Sequence, residues 1–176
     1  MKNLITCAAV LTFACNGVAL AHGPSRQKLT ETVEINAAPA KVWGIVKEFG
    51  HPEAWMPQIA STTSEGGNAA GASRVLTLKK GGTLKEELKS IDEANMTFSY
   101  KISENPDCAV LPVNNYSSNI DVEASGSGTK VTWNGAYYRC FLQNNPPADQ
   151  NEEAANKAIE SIYKEALANL KSVAEK

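Results

Sequence analysis

The chain has 176 residues, 17 basic against 19 acidic, a formal charge of −2, and 43% apolar side chains. That is enough chain for one domain with one substantial core and leaves no room for a second. With no basic run longer than Lys79-Lys80, an electrostatic grip on nucleic acid or an anionic membrane is not expected, which leaves a small molecule or a protein as the partner.

Residues 1–21 read as a cleavable signal peptide. Lys2 gives a basic start, residues 4–14 are an apolar run too short to span a bilayer, and Ala19-Leu20-Ala21 offers small residues where a signal peptidase reads. The mature chain is then expected to begin at His22 in the periplasm, with 16 basic residues against 19 acidic once Lys2 is removed, and without stable membrane insertion. The rival is a lipoprotein anchor at Cys15, but Thr12-Phe13-Ala14 lacks the leucine and small residues that such a site needs. The domain division is therefore 1–21 signal and 22–176 a single domain.

Residues 29–35 alternate as a strand with one wet face. Pro39 suits the first turn of a helix that carries Val42, Trp43, Val46 and Phe49 at helical spacing and stops at Gly50. Residues 51–55 allow only a short second turn, because Pro57 disfavours helix at Met56. Residues 59–64 offer a further strand before Gly66-Gly67. The pattern then gives strands over 74–78, 83–91, 95–102, 116–123 and 130–139, separated by turn residues, as in an antiparallel meander. After Asn144-Asn145-Pro146-Pro147 the period changes. Asp149 can cap a helix on which Ala155, Ala158, Ile159, Ile162, Tyr163, Ala166, Leu167, Leu170 and Val173 form one stripe. The class is α+β: a curved antiparallel sheet wrapped around a long C-terminal helix.

A three-residue loop, Lys79-Lys80-Gly81, sets the register of one hairpin. It places Leu76 opposite Leu84 and Arg74 opposite Glu86, on the face that also carries Leu78 and Leu88. An inward ion pair is costly unless matched, so Arg74 and Glu86 are either a satisfied pair at the rim of the sheet or a polar handle inside a ligand cavity. Tyr116 and Ser118 share the parity of Ile120 and Val122 and point into the same interior. Two cysteines remain in the mature chain, Cys108 and Cys140. In an oxidising compartment they admit one intramolecular bridge, the alternative being two separately buried thiols.

No catalytic constellation is present. Histidine occurs only at 22 and 51, Cys-x-x-Cys and His-Glu-x-x-His are absent, and no glycine pattern links a strand to a helix as a nucleotide site requires. Glu86 and Glu87 point to opposite faces and cannot cooperate. The His22 α-amino group and imidazole could chelate copper, but only His51 is available to complete a site, and a frayed terminus is the better reading. Neither a metal nor a cofactor is expected.

Together, Pro39-Ala40-Lys41-Val42-Trp43, Gly71 and Arg74 entering a strand, Glu86 before Leu88, and Tyr116-Ser117-Ser118 resemble the helix-grip (START-like, SRPBCC) superfamily, in its polyketide-cyclase-like branch. Within it, His22-Gly23-Pro24, the run from Gly66-Gly67-Asn68 to Gly71, Leu111-Pro112-Val113-Asn114-Asn115-Tyr116, Trp133-Asn134-Gly135-Ala136-Tyr137-Tyr138 and Asn144-Asn145-Pro146-Pro147 resemble the MxaD group. One departure is Met56, where that group would have a histidine between Trp55 and Pro57, so no role resting on that imidazole carries over.

The resemblance implies a cavity between sheet and last helix. For it Arg74, Leu76, Leu84, Glu86, Leu88, Tyr116, Ser118 and Trp55 are the candidate lining residues. It also implies a non-enzymatic periplasmic protein that assists electron transfer from a quinone-dependent methanol dehydrogenase to its cytochrome c, these two being the implied partners. The second reading is a carrier or sensor of a small apolar ligand; a cyclase-like enzyme comes third.

Overall fold

A computed structural model describes residues 23–176, so residues 1–21, expected to be a signal peptide and including Cys15, and His22 lie outside the described residues. The chain runs β1 (Gln27–Ile35), α1 (Pro39–Val46), a single 3₁₀ turn (Pro52–Ala54), β2 (Ile59–Glu65), β3 (Ser73–Leu78), β4 (Thr83–Asp92), β5 (Thr97–Glu104), β6 (Val113–Ser125), β7 (Gly128–Arg139) and α2 (Glu152–Ala174). The seven strands form one antiparallel sheet in the order β1-β7-β6-β5-β4-β3-β2. α2 lies along its concave face against β1, β7 and α1. Among the described residues no helix is long and apolar enough to cross a membrane.

The hairpin register follows from its loop. Arg74 pairs with Glu86 and Leu76 with Leu84, and the Leu78 amide donates to the Gly82 carbonyl at 3.0 Å. Period-two alternation then puts Arg74, Leu76, Leu84, Glu86 and Leu88 inside. β1 and β7 alternate likewise, and β7 buries Val131, Trp133 and Tyr137.

Most boundaries shift by a residue or two from the sequence pattern, and four of the differences have a local reason. α1 stops at Val46, not Gly50, because the Phe49 amide donates to Asn68 Oδ1 at 2.9 Å instead of continuing the helical ladder. Phe49 is still buried. β6 starts at Val113, not Tyr116, across a bulge between Asn114 and Ser117 with Asn115 at φ +48°, so Val113 and Tyr116 both face inward despite their odd spacing. β5 begins at Thr97, after Met96 adopts a positive φ in the preceding turn. α2 is capped by Asn151, whose Oδ1 accepts from the Ala154 amide at 2.9 Å, rather than by Asp149. At the far end Ala174 is buried in place of Val173.

Cys108 and Cys140 are bonded, with Cα atoms 5.7 Å apart. The bridge is reached because the Cys140 amide donates to the Pro112 carbonyl, which brings the end of β7 beside the 106–112 loop.

Candidate functional site

Between α2 and the β2–β5 half of the sheet the side chains do not meet, and a cavity of about 450 Å³ is left. Its apolar wall comes from Leu76, Leu78 and Leu84 of the hairpin, Ile102 of β5, Val110 and Leu111 of the disulfide-tied loop, and Ile159 and Ile162 of α2. Lys79, Lys80 and Gly81 stand at its edge with Glu165 of α2, and the lysines are exposed. Volume and wall chemistry fall in the range of small-molecule sites.

The deep end is polar. Glu86 lines it, and its Oε2 accepts from both Arg74 Nε and Nη2 at 2.6 Å. Both residues are 5% exposed. Arg74 Nη1 donates to the Phe49 carbonyl at 2.8 Å, and its guanidinium lies 4.0 Å from the Phe49 ring centroid and 5.2 Å from that of Tyr100. Each guanidinium nitrogen of Arg74 thus has a partner, and its charge is met by one carboxylate and two ring faces. The other oxygen of Glu86 has no hydrogen-bonding partner among the described residues.

Beside it runs a chain of hydroxyls. Tyr100 and Tyr116 approach at 3.4 Å, Tyr116 and Tyr163 at 2.5 Å, and Tyr163 and Ser118 at 3.3 Å. Ser118 Oγ accepts from Trp133 Nε1 at 2.6 Å and donates to the Asn134 carbonyl at 2.8 Å. Trp133 stacks on Tyr163 with centroids 4.0 Å apart. Gly135 makes this possible, since a Cβ there would overlap the Tyr163 hydroxyl. Burial pushes the Tyr100 hydroxyl up to about 12, helped by the nearby Glu86 charge, and burial pushes Tyr116 and Tyr163 well above the usual phenol range. All three stay protonated at neutral pH.

Of the candidates read from the sequence, Leu76, Leu84, Glu86 and Tyr116 lie on the cavity wall. Arg74, Leu88, Ser118 and Trp55 are buried alongside it and support the wall rather than form it: Arg74 orients Glu86, Ser118 anchors the hydroxyl chain, and Trp55 packs on Trp133 at 5.3 Å. Tyr100, Trp133, Tyr163 and Gln58 also line the cavity and were not singled out. Tyr100 shares the inward parity of Phe98 and Ile102, and Tyr163 sits on the apolar stripe of α2, so both were legible as interior but not as polar wall. Gln58, in a loop, gave no periodic signal. Its Nε2 donates to the Ile162 carbonyl at 3.2 Å, while Oε1 is buried with no partner among the described residues.

His51 is exposed, and its Nδ1 faces Glu53 Oε1 at 3.2 Å. Among the described residues no three His, Cys, Asp or Glu side chains converge as a metal site would require. A second depression of about 340 Å³, on the outer face among Thr30, Lys89, Ser99, Asn119 and Asn134, is the open saddle of the twisted sheet.

Solved structures share this architecture. XoxI from Bacillus cereus is 29% identical, with 84% of this chain and 94% of that one covered and a TM-score of 0.68. An uncharacterised protein from Bacillus thuringiensis is 28% identical, over 85% of this chain and all of that one, with a TM-score of 0.69. Ara h 8.0201 is 20% identical, over 84% and 99%, with a TM-score of 0.60, and supports the fold alone. No curated protein matches the sequence. The sheet gripping its last helix is the helix-grip fold, and the chain belongs to the polyketide cyclase / dehydrase and lipid transport family, whose model matches residues 26–175.

Proposed function

We propose that this protein is an exported, non-enzymatic binder of a small, mostly apolar molecule, held between the β3–β4 hairpin and α2. The observation that carries this reading is the cavity itself: about 450 Å³, apolar-walled, and ending on a buried polar cluster. Binding rather than turnover is supported by the state of the groups that could move a proton. Glu86 is committed to Arg74, and the tyrosine hydroxyls are held far above neutral pH. Native mass spectrometry of the chain purified from its own cell envelope tests it: a retained small molecule is the expected result, and an empty protein overturns the carrier reading.

The second reading is the role implied by the MxaD resemblance, an accessory of methanol oxidation that acts between the quinone-dependent dehydrogenase and its cytochrome c. The observation that favours it is where the shared motifs fall. Leu111, Tyr116 and Trp133, from two separated motifs, meet on the cavity wall, so the resemblance covers the interior surface and not only the scaffold. Deleting the gene is then expected to slow methanol-dependent oxygen uptake while leaving dehydrogenase activity with an artificial electron acceptor intact. Normal uptake in the deletion strain eliminates this role.

A further inference from the structure

The hydroxyl chain can be given a direction. The Asn134 carbonyl carries no proton, so the 2.8 Å contact to it must hold the proton of Ser118. Ser118 therefore accepts from its other neighbours, which Trp133 Nε1 satisfies as an obligate donor. The contact between Tyr163 and Ser118 then holds a proton only if Tyr163 donates. With its proton spent there, Tyr163 must accept from Tyr116, and Tyr116 in turn accepts from Tyr100. The reverse order leaves Ser118 and Tyr163 lone pair to lone pair. One proton sits in every contact only when the chain runs Tyr100 to Tyr116 to Tyr163 to Ser118 to the Asn134 carbonyl.

Each of these four hydroxyl protons is consumed inside the protein as a result. What remains at the deep end is acceptor capacity: the lone pairs of Tyr100, the second oxygen of Glu86 and the unpartnered Oε1 of Gln58, whereas the Ser161 hydroxyl of the lining is exposed and the unpartnered Trp55 Nε1 belongs to a residue off the lining. Burying an acceptor without a donor is costly, and placing a second anion beside Glu86 would be costlier. Among the described residues the only cationic side chains on the lining, Lys79 and Lys80, stand at the exposed edge.

Resting on the cavity being the ligand site, we propose that it selects neutral apolar molecules that carry a hydrogen-bond donor, a hydroxyl above all, with the donor directed at Glu86, Tyr100 and Gln58, and that it discriminates against carboxylates and ethers of the same frame. Fatty-acid-like and phosphate-bearing ligands are thereby disfavoured in the deep end.

Three probes of one frame test this by calorimetric titration of the disulfide-bonded chain: 1-naphthol, 1-methoxynaphthalene and 1-naphthoate. The expected result is that the naphthol binds at least about tenfold tighter than either of the others, the scale of one hydrogen bond made against one left unmade. In Tyr100→Phe and Gln58→Met, which leave the Arg74–Glu86 pair intact, that preference is expected to shrink by about threefold or more. Equal affinities, or tighter binding of the ether or the carboxylate, overturn the polarity assignment while leaving ligand binding standing. No binding of any probe up to its solubility overturns the cavity reading itself.

Discussion

Arg74 and Glu86 face one another across β3 and β4, and only the carboxylate reaches the cavity: the guanidinium, packed against the Phe49 and Tyr100 rings, holds Glu86 from behind. The pair is at once part of the core and part of the wall. Removing Glu86 strands a buried charge, so Glu86→Ala is expected to cost about 3–5 kcal/mol. Replacing both residues by leucine recovers most of that but not all, since the Phe49 carbonyl also loses its donor. Denaturant midpoints decide the matter. A parental midpoint for Glu86→Ala means that the pair is not desolvated.

That pair was legible in the sequence because loop length and strand parity are local rules. Lys79-Lys80-Gly81 fixed the register, and the register fixed the facing residues. α2 was legible by its stripe, whereas Cys108 and Cys140 were legible only as a pair able to bridge, with two separate thiols as the alternative. The local rules did not locate the floor of the site. Tyr100, Tyr163 and Trp133 lie on three elements far apart in sequence, and their convergence depends on the curvature of the sheet and on Gly135 admitting the Tyr163 hydroxyl. The bulge at residues 114–117 changes which residues of β6 face inward, and no run of apolar residues announces it.

Gly135 is the narrowest point of this arrangement. An added methyl meets the Tyr163 hydroxyl and ring, and the neighbouring stack on Trp133 prevents the ring from retreating. Gly135→Ala is therefore expected to destabilise by about 1–3 kcal/mol, as overpacking does in a filled core. Gly135→Ala combined with Tyr163→Phe removes the hydroxyl and is expected to recover part of the loss. Strictly additive effects in this cycle mean that the two positions are not in contact.

Alkaline stability should report the buried tyrosines. Burial raises Tyr100 and Tyr137 to about 12 and raises Tyr116 and Tyr163 in the same direction, well above the usual phenol range. A phenol raised in the folded state binds its proton longer than the unfolded chain does, so the unfolded state holds fewer protons above about pH 10 and stability falls as pH rises from about 10 toward 12. Below about pH 10 the contribution is fully present. Of the five tyrosines, at most one is expected to show tyrosinate absorbance while the protein remains folded, the rest appearing together with loss of near-ultraviolet dichroism. Gradual ionisation of several tyrosines with the dichroism intact would mean that the hydroxyl chain is open to water.

The bond between Cys108 and Cys140 spans 32 residues of sequence and ends on the loop that supplies Ala109, Val110 and Leu111 to the cavity wall. Closing a loop of that length restricts the unfolded chain by about 3–4 kcal/mol. The bridge also acts locally, because Val110 packs against the backbone of Gly82, where an added Cβ would lie 2.5 Å from Val110 Cγ2. The loop thus packs on the β3–β4 hairpin through Val110 and is tied covalently to the end of β7 through Cys108. Thiol counting on the unfolded, non-reduced protein is expected to give no free thiols from residues 22–176, and two per chain would refute the bridge. Cys108→Ser with Cys140→Ser is expected to lower stability by the amount above and, separately, to speed exchange of the amides at residues 109–111 and dissociation of a bound probe such as 1-naphthol. A variant that loses stability but releases the probe at the parental rate would make the disulfide a brace of the fold alone, with no hold on the cavity wall.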